Sequence, residues 1–193
     1  GGSGLNTFNT STAVAFVAAA AGQPVAKHGN RASTSACGSA DVLRELGVDL
    51  DLSIVQLEKC LAATNFCFFF APNHHPATKR VQVIRRELGV RTIFNFLGPL
   101  SNPAGATRQL LGVSQLKMVE PMAKALLALG AQHALVVRGE DGLDELSTTG
   151  PSLIAEVKAG EVSHYTVTPE DFGLPRVSFA EIEGGIPKVA ASR

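Results

Sequence analysis

The segment Lys27-His28-Gly29-Asn30-Arg31-Ala32-Ser33-Thr34-Ser35-Ala36-Cys37-Gly38-Ser39 gathers two cations, a histidine, two glycines and a run of hydroxyls. Lys27 and Arg31 supply positive charge. Gly29 and Gly38 let backbone approach a ligand, and Ser33, Thr34, Ser35 and Ser39 donate hydrogen bonds. Such a mixture suits an anion, above all a phosphate. A solvated polar loop is the plain alternative. A second polar group, Asn9-Thr10-Ser11-Thr12, precedes the alanine-rich run 13–21. Asn, Ser and Thr are strong N-cap residues. The helix would therefore turn its N-terminus, with free N–H groups and a positive dipole end, toward the same polar loop.

A third cluster lies at Gly139-Glu140-Asp141-Gly142-Leu143-Asp144-Glu145, where four carboxylates accompany two glycines. Like charges this close repel unless they are solvated or share a cation. Oxygen-only ligands suit Mg²⁺, which bridges carboxylates and substrate phosphates. The spacing is wrong for an EF-hand, and a solvated acidic turn remains open. His74 and His75 are adjacent, so their rings point different ways, and no third ligand has metal spacing. One of them is expected to hydrogen-bond near a pocket rim. Cys37, Cys60 and Cys67 show no CxxC spacing and an odd count. They read as reduced thiols in a cytosol-like compartment, with nothing nearby to mark an activated thiolate.

Several elements must position these groups. The run 13–21 forms a helix ended by Gly22-Gln23-Pro24, and a short strand at Val25-Ala26 leads into Lys27. The next helix spans 39–46 with Val42, Leu43 and Leu46 inward, and Gly47 stops it. Ser53 caps a further helix, with Ile54, Leu57 and Leu61 as its stripe and Cys60 beside them. Residues 65–70 are continuous and aromatic, as in a strand buried on both faces. A base-stacking platform would need interleaved basic residues, which are missing. Pro76 opens a helix to residue 88, with Val81, Ile84 and Leu88 inward and Arg85 next to that face. Pro99 and Pro103 fix turns. Strands at 110–113 and 133–137 flank an amphipathic helix, 116–129. A hairpin joins 153–157 to 161–167, a short capped helix covers 169–173, and a tail starts at Gly184. The alternation predicts an α/β fold, a mostly parallel central sheet flanked by helices, with ligands at the strand C-terminal ends.

The 193 residues are 45% hydrophobic, ample for a core, and formal net charge is zero. Zero net charge argues against broad binding of nucleic acid or anionic membrane. No apolar run approaches the roughly 20 residues that cross a bilayer.

Taken in order, these motifs resemble the anthranilate phosphoribosyltransferase family, class III phosphoribosyltransferases of the nucleoside phosphorylase-like fold. The resemblance runs from Gly1 to about Gly185. It implies an Mg²⁺-dependent transfer of phosphoribosyl from 5-phosphoribosyl 1-diphosphate to anthranilate, in the cytoplasm and within tryptophan biosynthesis. It gives the diphosphate substrate to Gly2, Ser3 and Thr7, to Asn9, Thr10, Ser11 and Thr12, and to the loop Lys27, His28, Gly29, Asn30, Arg31, Ala32, Ser33, Thr34, Ser35 and Ser39. It gives anthranilate to Asn30 and Arg85, the guanidinium matching a carboxylate, where the plain alternative is a surface arginine. It gives Mg²⁺ to Asp144, Glu145 and Ser11. Lys27 and Arg85 act by electrostatics and positioning, with no nucleophilic side chain implied.

The opening Gly1-Gly2-Ser3-Gly4 departs from the family's Gly-Thr-Gly-Gly-Asp-Gly loop, since Ser3 stands where that loop carries Asp. Either that part of the site is weakened or the opening is a linker. The resemblance makes the chain one α/β catalytic core, residues 1–193, with residues 76–103 partly contributing to a small helical region. A preceding helical domain and following helices belong to the longer enzyme, which is expected to be a homodimer. The rival readings are a pyrimidine nucleoside phosphorylase-like enzyme, or an inactive homologue, truncated or binding nucleic acid in the same groove.

Overall fold

Asn9 begins the first helix as its composition predicts: its side-chain oxygen accepts from the Thr12 N–H at 3.0 Å. Helix α1 then spans Thr10–Ala20, and Gly22, at φ +88°, ends it. The computed structural model describes residues 4–31, 37–75 and 92–192. Strand β1, Val25–Gly29, pairs in parallel with β2, Phe66–Phe70, with Lys27 opposite Phe68. The crossover between them carries α2, Ser39–Glu45, and α3, Ile54–Thr64.

Strand β2 is buried on both faces, as its unbroken apolar run requires. Phe68 and Phe70 pack with Ala40, Leu43 and Leu50, whereas Cys67 and Phe69 pack with Leu57, Cys60 and Leu61. After β2 come α4, Ala71–His74, and α5, Phe94–Leu97, which runs into a 3₁₀ turn at Gly98–Leu100. Asn102 Nδ2 donates to the Ala26 carbonyl at 2.9 Å and ties this turn region to β1. These elements form one of two units.

The other unit holds a sheet in the order β3-β4-β5-β6, formed by Arg108–Gly112, His133–Gly139, Ser152–Lys158 and Glu161–Val167. The β3–β4 pair is parallel and the other two pairs are antiparallel. Helix α6, Val119–Ala128, buries Val119, Met122, Ala123 and Leu126 against β4 and β5. The β5–β6 turn has positive φ at both Ala159 and Gly160, the primed geometry that suits the twist of two strands. In the same unit, Thr7 bridges Glu183 in antiparallel fashion.

The α/β class holds, but among the described residues the strands do not form a single mostly parallel sheet. Among the described residues they divide into a parallel pair and a four-stranded sheet that is mixed because β5 runs antiparallel to β4 and the hairpin turns β6 antiparallel to β5. Two predicted core positions face solvent: Leu46 is 47% and Ile54 50% exposed. Leu46 is the C-cap of α2 and Ile54 the first residue of α3, so neither sits on a full helical turn. The expected tail contains a helix, α7, Pro187–Ser192, that packs on α2. The helix expected from Pro76 lies outside the described residues. No helix of the described residues is long and apolar enough to cross a membrane.

Candidate active site

The N-terminus of α1 and the end of β1 meet through side chains. Lys27 Nζ donates to Ser11 Oγ at 2.5 Å. Ser39 Oγ, at the first turn of α2, donates to Asn9 Oδ1 at 3.4 Å. Residues far apart in sequence thus share one polar cluster, since β1 leads from the end of α1 back past its start. No acidic residue occupies the first turn of α1, so no carboxylate of the helix itself neutralises the positive end of its dipole. Thr12, in that turn, is only 2% exposed, and among the described residues its hydroxyl has no hydrogen-bond partner.

An unsatisfied buried hydroxyl costs stability and is expected where a ligand completes the bonding. Thr12→Val keeps the shape and removes the hydroxyl. It is expected to stabilise the unliganded chain by about 1 kcal/mol while weakening phosphate-ligand binding several-fold. Denaturant titration and ligand calorimetry read the two effects. A loss of stability in the variant would contradict the assignment.

The rest of the loop is shaped for close approach. A Cβ added at Gly29 would press on the Phe68 ring, so the end of β1 accepts only glycine without rearrangement. The Arg31 guanidinium lies over the Phe70 ring, 5.9 Å from its centre. Asn30 Oδ1 accepts from the Arg31 N–H at 2.8 Å. Asp41 caps α2, accepting from the Gly38 N–H at 2.9 Å.

His28 and His75 bring their Nε2 atoms to 3.0 Å, an edge-on pair between β1 and the residue that follows α4. One ring must donate and the other accept, so full protonation of both would set N–H against N–H. Burial and then the neighbouring His75 lower the His28 pKa from 6.5 to about 4, although the Gly98 carbonyl partly opposes this. His74 is lowered as well, by burial and then by His75. A histidine lowered by folding takes its proton first in the unfolded chain. Its contribution to stability is therefore intact above pH 6.5 and is lost as pH falls toward about 4. After discounting for solvent screening, the loss is about 1–2 kcal/mol. Denaturant midpoints should fall over that window in the unaltered chain and less in His28→Asn; parallel profiles would contradict it.

The acidic loop, in the other unit, follows β4. The structure sorts its carboxylates. Asp141 Oδ2 accepts from Ser147 Oγ at 2.5 Å and Thr149 Oγ1 at 2.7 Å, and Oδ1 accepts from the Leu143 N–H at 3.0 Å. Burial opposes ionisation of Asp141. The bonds from Ser147, Thr149 and Leu143, with Arg138 nearby, outweigh it and lower the pKa. Asp144 and Glu145 are half-buried. A Cβ added at Gly112, at the end of β3, would overlap the Asp144 carbonyl oxygen.

Among the described residues no group of three or more His, Cys, Asp or Glu could by itself hold a metal. Two carboxylates with oxygen donors are too few for a closed cage. They fit Mg²⁺, which uses one or two carboxylates and lets substrate phosphates complete its shell.

The structure thus brings together Asn9, Thr10, Ser11, Thr12, Lys27 and Ser39, and places His28, Gly29, Asn30 and Arg31 along the same strand and loop. Thr7 lies in the other unit, with Asp144 and Glu145. Gly2, Ser3, Ala32, Ser33, Thr34, Ser35 and Arg85 lie outside the described residues. Sequence reasoning did not anticipate the distinct place of Asp141, the close approach at Gly112, or the pairing of His28 with His75. The hydroxyls of Ser147 and Thr149 just after the acidic run were the available signal for the first.

The glycosyl transferase family, a/b domain, matches residues 1–193. The chain belongs to this family. It is 57% identical over 188 residues to the anthranilate phosphoribosyltransferase of Methanosarcina acetivorans, covering 97% of the chain and 50% of the relative. It is 56% identical over 192 residues to the Caulobacter sp. (strain K31) enzyme of that name, covering 100% of the chain and 55% of the relative. The crystal structure of the Thermus thermophilus anthranilate phosphoribosyltransferase superposes with a TM-score of 0.92 at 47% identity, over 100% of this chain and 56% of that one. The Saccharomyces cerevisiae enzyme in complex with PRPP and Mg gives 0.91 at 34% identity, over 99% of this chain and 53% of that one. This family member spans about half the length of the curated relatives it matches.

Proposed function

We propose that this chain carries the phosphate- and metal-binding part of an anthranilate phosphoribosyltransferase. The reaction transfers phosphoribosyl from 5-phosphoribosyl 1-diphosphate to the amine of anthranilate, releasing diphosphate. The observation that carries the reading is the cluster of Lys27, Ser11, Ser39 and Asn9 at the N-terminus of α1, with the buried Thr12 hydroxyl unsatisfied beside it. Similarity to relatives of that name, one of them solved with PRPP and Mg, supports it.

The bond from the anomeric carbon to diphosphate oxygen breaks and a carbon–nitrogen bond forms, through a transition state with oxocarbenium character. Charge on the departing diphosphate must be stabilised more than any nucleophile activated. Lys27 supplies a fixed positive charge. Ser11, Thr12 and Ser39 hydroxyls and the first N–H groups of α1 donate to phosphate oxygens. Ser33, Thr34 and Ser35 complete the loop in this reading, with Gly2, Ser3 and Thr7 at the opening. Asp144 and Glu145 would hold Mg²⁺, which supplies neutralisation of the leaving group. Asn30 and Arg85 orient anthranilate by its carboxylate, and holding both substrates in line supplies much of the rate.

The same reading makes the full-length protein a cytoplasmic homodimer of tryptophan biosynthesis. Its partners are small molecules, with neither nucleic acid nor membrane, in keeping with zero net charge. Loss of anthranilate fluorescence on adding 5-phosphoribosyl 1-diphosphate and Mg²⁺ to the full-length protein tests the assignment. Phosphorolysis of thymidine or uridine, with anthranilate untouched, would overturn it in favour of a nucleoside phosphorylase.

A further inference from the structure

The four carboxylates of the acidic loop are chemically alike in sequence, and one of them, Asp141, is committed to three hydrogen bonds within its own turn. A carboxylate has about four lone-pair positions. Asp141 fills three of them with Ser147 Oγ, Thr149 Oγ1 and the Leu143 N–H. Its donors lie on both sides of Asp144 and Glu145 in sequence. Leu143 precedes the pair; Ser147 and Thr149 follow it. The carboxylate therefore staples the two ends of the segment that carries them.

Backbone bonds lock the same turn. Gly139 N–H donates to the Leu143 carbonyl at 2.9 Å, Gly142 N–H to Gly139 at 3.0 Å, and Glu140 N–H to Pro151 at 2.9 Å. Ser147 is anchored in turn by its N–H donating to the buried Ser152 hydroxyl at 2.8 Å. Leu143 is 3% exposed and pins the turn to the core. A Cβ at Gly139 would collide with Asp141 Oδ1, so the strand end is shaped to admit this carboxylate.

We infer that Asp141 is a positioning residue: it stays out of the metal shell and, through Ser147, Thr149 and Leu143, fixes the backbone that presents Asp144 and Glu145 to Mg²⁺. This rests on the metal reading proposed above. Outer-shell partners of this kind typically contribute about 10–100-fold to metal affinity.

The test uses Mn²⁺ in place of Mg²⁺ on this chain with 5-phosphoribosyl 1-diphosphate, bound metal being read by electron paramagnetic resonance. Asp141→Asn is expected to weaken Mn²⁺ about 10–100-fold, with saturating Mn²⁺ restoring the full bound signal, a recovery that unfolding would not allow. Thr149→Val keeps all four carboxylates and sits at a partly exposed position. It is expected to weaken Mn²⁺ several-fold, and Thr149→Ser, which keeps the donor, should match the unaltered chain. Without any metal, amide exchange at Leu143 should quicken in Asp141→Asn. Unchanged affinity in Thr149→Val together with unchanged exchange in Asp141→Asn would overturn the inference. So would weakening in Asp141→Asn alone, since Asp141 would then act by its charge or as a ligand. If Asp144→Asn/Glu145→Gln, or the unaltered chain against a metal-free blank, shows that Mn²⁺ binding does not depend on the pair, the metal reading itself fails and takes the inference with it.

Discussion

In the full-length protein, replacing Asp144 and Glu145 together with Asn and Gln is expected to lower turnover by about 1,000-fold or more. The substitution keeps shape and hydrogen-bonding capacity but removes both anionic oxygen donors. Asp141 cannot take their place, because Ser147, Thr149 and the Leu143 N–H already occupy it. Among the described residues no group of three or more His, Cys, Asp or Glu stands ready to hold the metal in their place. In the proposed reading, loss of the metal would leave the departing diphosphate to Lys27 and neutral donors. Removing even one preorganised charge-stabilising group typically costs about 100–1,000-fold, so two anchoring carboxylates set at least the upper figure. Steady-state kinetics across Mg²⁺ concentrations checks this. A double variant within about threefold of the unaltered rate would remove the metal assignment, since no single effect of the scale invoked here fits so small a loss.

Gly112→Ala should be nearly as damaging, although residue 112 carries no functional group. Its missing Cβ is the space in which the Asp144 carbonyl sits. The residue lies at the end of β3, paired with Val137 of β4, so the strand cannot retreat without breaking the parallel ladder. The acidic loop must move instead. A shift of about 1 Å in a positioning element can cost about 100-fold in rate, and overpacking a tight contact costs about 1–3 kcal/mol of stability. Both losses are expected, and the ratio of metal affinity to folded fraction separates them. An alanine variant that folds, binds Mn²⁺ and turns over normally would show that Asp144 is not held by this approach.

The polar chemistry of α1 and β1 was legible in the residues themselves. Asn9 caps α1 because its short side chain reaches the Thr12 N–H, a local bond that spacing alone predicts. The buried strand at Phe66–Phe70 and the hairpin at Ala159-Gly160 follow likewise from local pattern. What escaped depends on contacts between distant segments. His28 and His75 pair because the β1–β2 register sets Gly29 opposite Phe70, just before the short helix that ends at His74. No periodicity in either segment announces that. Asp141 and Asp144 are three residues apart with the same chemistry, and it is the Leu143 N–H and the return of Ser147 and Thr149 across the turn that engage Asp141. The division of the strands into two sheets is also a matter of pairing, which alternation of strands and helices does not specify. The helix at Pro187–Ser192 is too short to show a periodic apolar face and forms against α2.

The central claim, proposed above, is that this chain binds a diphosphate ester with the help of Mg²⁺. Calorimetric titration of the chain with 5-phosphoribosyl 1-diphosphate, with and without Mg²⁺, tests it most directly. The account predicts saturable binding that is strong with Mg²⁺ and at least about 10-fold weaker without it. Binding that is absent under both conditions, or equal in both, would contradict it.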